Sequence, residues 1–348
     1  MKVKRGRKNV FWAVAIGILL MGAMALAAGE AANYMKGLHK TGGGMKYWYE
    51  QADGLKSITG MAYEDLPCKT CHADTCKKCH VKSMKAEDTR DINTCLGCHE
   101  KEAETFKEDE AAGSLDVHRK AGKICNDCHK GADHDDIHGN GVAVKSLFDD
   151  GAIKTRCENC HPADKMPDIP SHKVHAGKLD CPACHTRSTA ACNNCHLDSF
   201  IAEQKEEGNY MFSKSWTLLV NKNGKVTTGN AMTVVTKGKT FVVYGPYYTH
   251  SVQKQSKACG ECHGNEAMKL VKAGQKIPMN KFEGGKTVNW QGTVPFAKDS
   301  IEWTFYDKKD GGWVPLEGAA APAMQIIGGV TPLSDAQIKA LEEPVEQK

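Results

Sequence analysis

The arrangement of apolar and polar residues changes twice along the 348-residue chain. Residues 10–28 contain no charged residue, whereas residues 68–198 have few apolar side chains besides their cysteines. After residue 198, short apolar runs alternate with turns that contain Gly, Asn or Asp, which is typical of β-strands. The pattern therefore predicts a leader, a middle part without an ordinary aliphatic core, and a β-containing C-terminal part.

Three β-hairpins and one helix are predicted after residue 198. Asn-Gly, Lys-Gly and Asp-Gly-Gly sequences lie beside apolar runs, and such sequences favour tight turns. The predicted turns are 223–224 after the run 216–220, 237–238 between 232–236 and 240–244, and 310–312 between 301–306 and 313–314. Ser334 and Asp335 predict the start of a short helix over 336–343, and Pro344 ends it.

The first 28 residues predict export of the chain. Lys2, Lys4, Arg5, Arg7 and Lys8 precede the uncharged run, and Ala25-Leu26-Ala27 resembles a small-residue signal-peptide cleavage site. The run is also long enough to span a bilayer. The leader is therefore either a cleaved signal peptide or a retained membrane anchor. Both alternatives place the rest of the chain in the periplasm or elsewhere outside the cytoplasm, because the positive flank stays inside.

The net charge depends on this leader. The formal charge of +4 becomes +4 − 5 = −1 when the five basic leader residues are removed. Without a basic patch elsewhere, nothing in the sequence indicates a nucleic-acid partner.

All 16 cysteines belong to C-x-x-C-H motifs, and none is left over. The eight motifs are Cys68-Cys71-His72, Cys76-Cys79-His80, Cys95-Cys98-His99, Cys125-Cys128-His129, Cys157-Cys160-His161, Cys181-Cys184-His185, Cys192-Cys195-His196 and Cys259-Cys262-His263. This spacing is the attachment signature of c-type haem, in which two thiols form thioethers and the adjacent His coordinates the iron. Zinc knuckles do not need a His after every pair, and a disulfide framework has varied spacings.

The motifs make the chain resemble the multihaem c-type cytochromes, and among them an octahaem cytochrome c. The resemblance covers residues 68–263 and lies in the motifs alone. It implies eight covalently attached c-type haems, with the eight motif histidines as proximal iron ligands. The flanking segments carry no family signature.

The motif density predicts the fold class: irregular segments and short α-helices wrapped around a close-packed multihaem core, with a smaller β-containing C-terminal region. Seven motifs lie within residues 68–198, so the porphyrins must supply the buried apolar area. The predicted divisions are a leader (1–28), a lead-in segment (29–67), a seven-haem core (68–198) and a C-terminal region (199–348). This last region holds the eighth haem.

Seven histidines remain outside the motifs and are candidates for the distal iron ligands. They are His39, His118, His134, His138, His172, His175 and His250. His134 and His138 are four residues apart and His172 and His175 are three apart, so each pair lies on one face of a helix if the segment is helical. Two neighbouring haems are the expected destination of such a pair, rather than one divalent metal ion.

Seven spare histidines for eight irons leave one iron without a distal histidine. Its sixth ligand is a Met, a Lys or a histidine of a partner, or the position is open to solvent and substrate. A structural role for one spare histidine would leave two irons short. Met61 and Met84 lie near the first two motifs, but neither has a spacing that favours ligation.

Three functions are compatible with these observations. The favoured one is an exported electron carrier that links a membrane quinol-oxidising complex or a periplasmic donor to another redox protein. The second is a multihaem oxidoreductase that acts on nitrogen or sulfur oxyanions or on hydroxylamine at an open haem. The third is a subunit of a polymeric cytochrome filament. No acid–base or nucleophilic constellation is visible, so no catalytic residue is predicted.

Overall fold

The structure is a computed structural model that describes residues 33–68, 73–83, 85–129, 144–205, 208–309 and 312–345. The predicted leader, Cys71, His72, His134 and His138 lie outside the described residues. No helix within those ranges is long and apolar enough to cross a membrane.

Most helices of the described chain are short. The α-helices are α1 (Leu38–Thr41), α2 (Gly43–Tyr49), α3 (Lys56–Thr59), α4 (Ile92–Leu96), α5 (Glu100–Ala111), α6 (Val117–Lys120), α7 (Cys125–Cys128), α8 (Pro170–His175), α9 (Cys181–His185), α10 (Leu197–Glu203), α11 (Glu266–Lys272) and α12 (Asp335–Glu342). Single 3₁₀ turns cover Tyr63–Asp65, Cys76–Lys78, Ala86–Arg90, Cys157–Asn159, Ala163–Lys165 and Cys259–Glu261.

An eight-stranded mixed sheet dominates the fold. The strands are β1 (Thr189–Asn193), β2 (Cys195–His196), β3 (Met211–Lys222), β4 (Lys225–Thr236), β5 (Lys239–Pro246), β6 (Ile277–Pro278), β7 (Asn280–Glu283), β8 (Lys286–Asn289), β9 (Gly292–Pro295), β10 (Ile301–Glu302), β11 (Tyr306–Lys309), β12 (Gly312–Pro315), β13 (Ala323–Ile326) and β14 (Val330–Thr331). The central order is β1-β3-β4-β5-β13, with β9 and β14 also on β3 and with β2 on β4. Strands β6 and β10, β7 and β8, and β11 and β12 form separate pairs.

This sheet contradicts the predicted fold class. The molecule is not mainly short helices around a haem core, because twelve-residue strands β3 and β4 build a large sheet of their own. The sheet also takes in β1 and β2, which lie before residue 198 and contain the Cys192 motif. Strand β4 has buried threonines such as Thr227, Thr228 and Thr233, so its buried positions do not form an apolar run in the sequence.

The two main hairpins are confirmed. Lys222 pairs with Lys225 and Thr236 with Lys239, so the loops are the predicted 223–224 and 237–238. Asn223 and Gly224 have φ values of 52° and 85°, the left-handed conformation that a two-residue hairpin turn requires. The third hairpin is formed by β11 and β12, but its first arm is Tyr306–Lys309 and not the predicted 301–306, because Ile301 and Glu302 pair with β6. Ser334 caps α12 through Gln337 N–H, as expected for the C-terminal helix.

Hydrophobic clusters cover both faces of the sheet. Val235 and Val242 belong to one cluster, which also contains Trp216, whereas their neighbours Val234 and Phe241 belong to another. Adjacent residues of a strand point to opposite faces, so the clusters lie on opposite sides. The second cluster also includes lead-in residues Tyr49, Tyr63 and Leu66, which attach the N-terminal segment to the sheet.

Candidate haem sites

Most described motifs form one tight helical turn. The backbone N–H of the motif histidine donates to the carbonyl of the first cysteine four residues earlier. These bonds are His80 to Cys76 (2.8 Å), His99 to Cys95 (3.0 Å), His129 to Cys125 (2.9 Å), His161 to Cys157 (2.9 Å) and His263 to Cys259 (2.8 Å). The Cys181 motif is the helix α9. One turn places the two cysteines and the histidine on the same side of the backbone, as attachment to one porphyrin requires.

Five spare histidines lie opposite five motif histidines. The ring centroids are 6.1 Å apart for His39 and His99, 6.2 Å for His118 and His161, 6.2 Å for His250 and His129, 6.2 Å for His172 and His185, and 6.3 Å for His175 and His263. His172 lies opposite His185 in the motif that follows it, whereas the other four spare histidines lie opposite motifs other than the next one in sequence. The structure thus joins distant parts of the chain in four of the five pairs.

The spacing within the pairs fits an iron atom between the rings. A bond from a first-row transition metal to an imidazole nitrogen is about 2.0–2.1 Å long, and that nitrogen lies about 1.15 Å from its ring centroid. Two imidazoles on opposite sides of one iron therefore have centroids about 6.3–6.5 Å apart. The five observed centroid distances agree with this range to within about 0.4 Å. A direct hydrogen bond or stacking between the two rings of a pair would not explain why all five distances are nearly equal.

Hydrogen bonds select the nitrogen that is available to the iron. In the two pairs formed by α8, His172 Nδ1 bonds the Pro167 carbonyl (2.9 Å) and His175 Nδ1 bonds the Ser171 carbonyl (2.9 Å). Their partners bond the carbonyls of Gln253 and Ala340, at 3.1 Å for His185 and 2.8 Å for His263. A carbonyl only accepts, so each Nδ1 carries the proton and each Nε2 keeps the lone pair that a metal needs.

At His99, the group beside Nδ1 is a side-chain carboxylate and not a backbone carbonyl. Glu102 lies 3.7 Å from His99 Nδ1 and accepts a 2.7 Å hydrogen bond from Tyr247. Burial acts to raise the pKa of Glu102, but the nearby His99 ring and the hydrogen bond from Tyr247 outweigh it and lower the pKa to about 2. The nearby Glu102 carboxylate in turn raises the pKa of His99. Glu102 therefore stays ionised and orients the ring of the His99 site.

A buried ion pair fixes the segment that carries His250. Asp109 at the end of α5 is fully buried and accepts bonds from Arg187 (3.1 and 3.2 Å) and from Ser251 (2.8 Å), the residue after His250. All three bonds reach Oδ1, and Oδ2 has no hydrogen-bond partner. Burial raises the pKa of Asp109 despite the lowering effect of Ser251 and Arg187.

Replacing Arg187 with Met is expected to cost about 3 kcal/mol of unfolding free energy, because it leaves a buried carboxylate without its counter-charge. Urea unfolding of the haem-loaded protein measures this loss. The control is Lys269→Met, which breaks an exposed ion pair with Glu266 and is expected to cost less than about 0.5 kcal/mol. Equal, small losses in the two variants would show that the Asp109 site does not anchor the segment.

The Cys192 motif differs from the others. Cys192 and Cys195 lie in strands β1 and β2, and the His196 N–H donates to the Asn209 carbonyl (2.7 Å). Between them, Asn194 has a positive φ of 53° and is fully buried. Its side chain bonds both the N–H (2.8 Å) and the carbonyl (3.0 Å) of Tyr306. The motif is therefore fixed to strand β11.

Among the described residues, a carboxylate lies opposite His196 and a second imidazole does not. Its Nε2 lies 3.1 Å from Asp307 Oδ1, and its Nδ1 lies 3.0 Å from Ser199 Oγ. The Trp313 ring also lies beside it, with centroids 6.5 Å apart. No sequence signal marks Asp307 as part of a site, because it belongs to no motif and the two residues after it are lysines.

Contacts place six of the motifs in a spatial succession that follows the chain. The Cys125 motif reaches the segment before Cys95 through the Asn126–Thr89 bond (2.8 Å). The Cys95 thiol also lies close to the Cys125 thiol and lowers its pKa to about 7. The later steps are Thr155 Oγ1 to the Cys128 carbonyl (2.9 Å), Cys181 Sγ to Glu158 (3.8 Å) and Lys257 N–H to the Cys184 carbonyl (2.9 Å). At the other end, burial and the nearby Cys98 thiol raise the pKa of Cys79.

Within the described ranges, no group of three or more His, Cys, Asp or Glu side chains could hold a bare metal ion. Each histidine pair offers two ligands, and a porphyrin supplies the remaining four nitrogens to an iron. The first motif is described only at Cys68, so its site and the places of His134 and His138 are outside the described residues.

No protein-family model, curated protein or solved structure matches the chain.

Proposed function

We propose that the protein is an exported octahaem c-type cytochrome that carries electrons between redox partners. The observation that carries the proposal is the set of five histidine pairs whose ring centroids lie 6.1–6.3 Å apart. Each pair joins a C-x-x-C-H histidine to a histidine outside the motifs, as a bis-histidine haem requires.

A bound c-type haem supplies a one-electron centre, and bis-histidine ligation keeps its potential low relative to His/Met ligation. The chain's own contribution would be to supply two imidazoles to each of these haems. Carbonyl groups accept hydrogen bonds from the Nδ1 of four of these rings, so the Nε2 atoms are the ones left to bind a metal. A haem held by such a pair would have no free coordination position for a substrate.

The spatial succession supports a continuous path. It runs through the motifs of His80, His99, His129, His161, His185 and His263 in chain order. The Cys192 motif is not part of this succession; its Asn194 bonds Tyr306 of strand β11. Among the motifs that the structure describes fully, this path ends at the Cys76 motif and at the Cys259 motif, and we place the contacts with the donor and the acceptor near these two ends.

The partners are expected to be redox proteins with a positive or apolar contact surface. Eight haems add about 16 propionate charges against about eight ferric-core charges, so the mature oxidised protein has a net charge near −9. The donor is a membrane quinol-oxidising complex or a periplasmic protein, in keeping with the predicted leader. Attachment to the membrane would occur through residues 10–28.

The test is near-infrared magnetic circular dichroism during a redox titration of the haem-loaded protein. Bis-histidine signals for most haems and reversible reduction by small electron carriers are expected, with no turnover of nitrite, sulfite or hydroxylamine. Rapid turnover of one of these compounds would contradict the electron-carrier function and would favour the oxidoreductase function instead. End-to-end fibres in solution would favour the filament subunit.

A further inference from the structure

Asp116 lies at the start of the helix that carries His118, one of the five paired spare histidines. Its Oδ1 accepts hydrogen bonds from the backbone N–H groups of His118 (2.8 Å) and Arg119 (3.1 Å), so it caps helix α6. Helix α6 has only four residues, Val117–Lys120, and a helix of one turn is not stable by itself. The cap is therefore needed to hold His118 opposite His161.

The second carboxylate oxygen of Asp116 reaches a segment that is distant in sequence. Oδ2 accepts a 2.7 Å hydrogen bond from the Val252 N–H, and the Val252 carbonyl accepts a 2.9 Å bond from the Val117 N–H. Asp116 is buried, and its two oxygens together accept bonds from three backbone N–H groups. A buried N–H that loses its acceptor destabilises the fold, so these three bonds hold the carboxylate in one place.

The residue after Val252 holds the next haem site. The Gln253 N–H donates to the His185 carbonyl (2.7 Å), and the Gln253 carbonyl lies 3.1 Å from His185 Nδ1. The Gln253 side chain donates to the Ser114 carbonyl (2.9 Å) and so returns to the chain just before α6. Residues 252–253 therefore form a hydrogen-bonded link, the 252–253 link, between α6 and the His185 ring.

We infer that Asp116 is a positioning residue for electron transfer between two consecutive haems, those of the Cys157 and Cys181 motifs. Asp116 holds His118, the distal ligand of the first haem. The 252–253 link then fixes this ligand relative to His185, the proximal ligand of the second haem. The inference rests on the proposed function, since both histidines must bind haem iron. Transfer between neighbouring haems depends on their spacing, and this arrangement sets it.

The His118 ring depends on Asp116 more than the rings of α8 depend on their own cap. His172 and His175 each have a backbone carbonyl at Nδ1. Within the described ranges, His118 Nδ1 bonds no backbone carbonyl, and Asp116 Oδ1 lies 3.5 Å from it. The place of the His118 ring is therefore set through the backbone of α6, which Asp116 holds.

Asp116→Ala in the haem-loaded protein tests the hold on His118. Three backbone N–H groups lose their acceptor, α6 loosens, and His118 leaves the iron more readily. Carbon monoxide is therefore expected to bind one reduced haem about tenfold faster than in the wild-type protein, which is the effect of one lost buried hydrogen bond. This haem is identified by the loss of its signal when Cys157→Ala and Cys160→Ala are added.

Asp116→Asn separates the two parts of the inference. The amide oxygen still accepts from the first N–H groups of α6, whereas the amide nitrogen does not accept from the Val252 N–H. Carbon monoxide binding is expected to stay within about twofold of the wild-type rate, because Asn caps a helix about as well as Asp. The low-spin electron paramagnetic resonance signal of the His185 haem, assigned as the one lost in His172→Ala, is expected to shift in both Asp116 variants, because the His185 ring turns.

The matched control is Asp91→Ala. Asp91 caps α4 by accepting a 3.0 Å bond from the Asn93 N–H, but Asp91 is exposed and α4 carries no candidate distal histidine. This variant loses a cap of the same kind and is expected to change neither carbon monoxide binding nor the His185 signal. Changes as large as those in Asp116→Ala would overturn the specific role of Asp116.

The remaining outcomes separate this inference from the proposed function. A wild-type protein without bis-histidine signals would overturn both. Bis-histidine haems in the wild-type protein, with the same carbon monoxide binding and the same low-spin signals in Asp116→Ala, would overturn the inference and leave the electron carrier in place. Faster carbon monoxide binding in Asp116→Ala, with an unchanged His185 signal in both Asp116 variants, would overturn the connection between the two haems.

Discussion

Replacing His172 and His175 together with alanine is expected to convert two of the eight haems from low-spin to high-spin. Both histidines lie on the six-residue helix α8, and each lies opposite a different motif histidine, His185 or His263. Each substitution removes one axial ligand and opens one coordination position. Electron paramagnetic resonance of the oxidised protein measures the change, and binding of carbon monoxide to the reduced protein counts the open positions.

The exposure of α8 makes this a test of ligation, not of folding. No residue of the helix is buried, so truncation of two side chains creates no cavity. The matched control is Lys173→Ala on the same helix, which removes an exposed ion pair with Asp168 and is expected to leave every haem low-spin. A double variant with the same low-spin spectrum as the wild type would show that α8 supplies no iron ligand.

Removing the haem of the Cys157 motif is expected to divide the electron path. In the spatial succession this motif lies between the Cys125 motif and the Cys181 motif. The Cys157→Ala, Cys160→Ala variant should therefore separate the haems of His80, His99 and His129 from those of His185 and His263. The reason is that electron transfer needs neighbouring centres, and the missing one leaves a gap.

Oriented attachment to an electrode makes the division measurable. Helix α12 lies on the Cys259 motif, with Ala340 bonded to His263 and Leu341 to Gly264, so a tag appended after residue 348 brings that end close to the surface. Fast-scan voltammetry should then show slow exchange for at least the three haems beyond the gap. The control is Cys192→Ala, Cys195→Ala, which also removes one haem but lies beside the path. Equal kinetics in the two variants would exclude the linear succession.

The kind of site stays a prediction from local sequence, because attachment of a c-type haem needs a short local motif. The C-x-x-C-H turns and the spacing of His172 and His175 depend only on near neighbours in sequence. The ring pairs depend on long-range folding, so His118 lies opposite His161 although it precedes Cys125 by seven residues. No local signal contains that information.

The fold was predicted less well, for two physical reasons. Hairpin turns such as 223–224 and 237–238 have strong local preferences, and they were predicted. The extent of the sheet was not, because buried positions of its strands are often Thr or Asn, which hydrogen bonds satisfy, as for Asn230 and Thr228. Strands β1 and β2 were hidden inside a haem motif. Asp307 was missed because only the fold brings it to His196.

The most direct test of the central claim is the intact mass of the protein after maturation in a host that attaches c-type haem, followed by peptide analysis of each motif. The account predicts eight covalent haems, with thioether bonds at all 16 cysteines. A mature protein with fewer than eight haems, or with unmodified cysteines in any of the motifs whose histidines are paired, would contradict it.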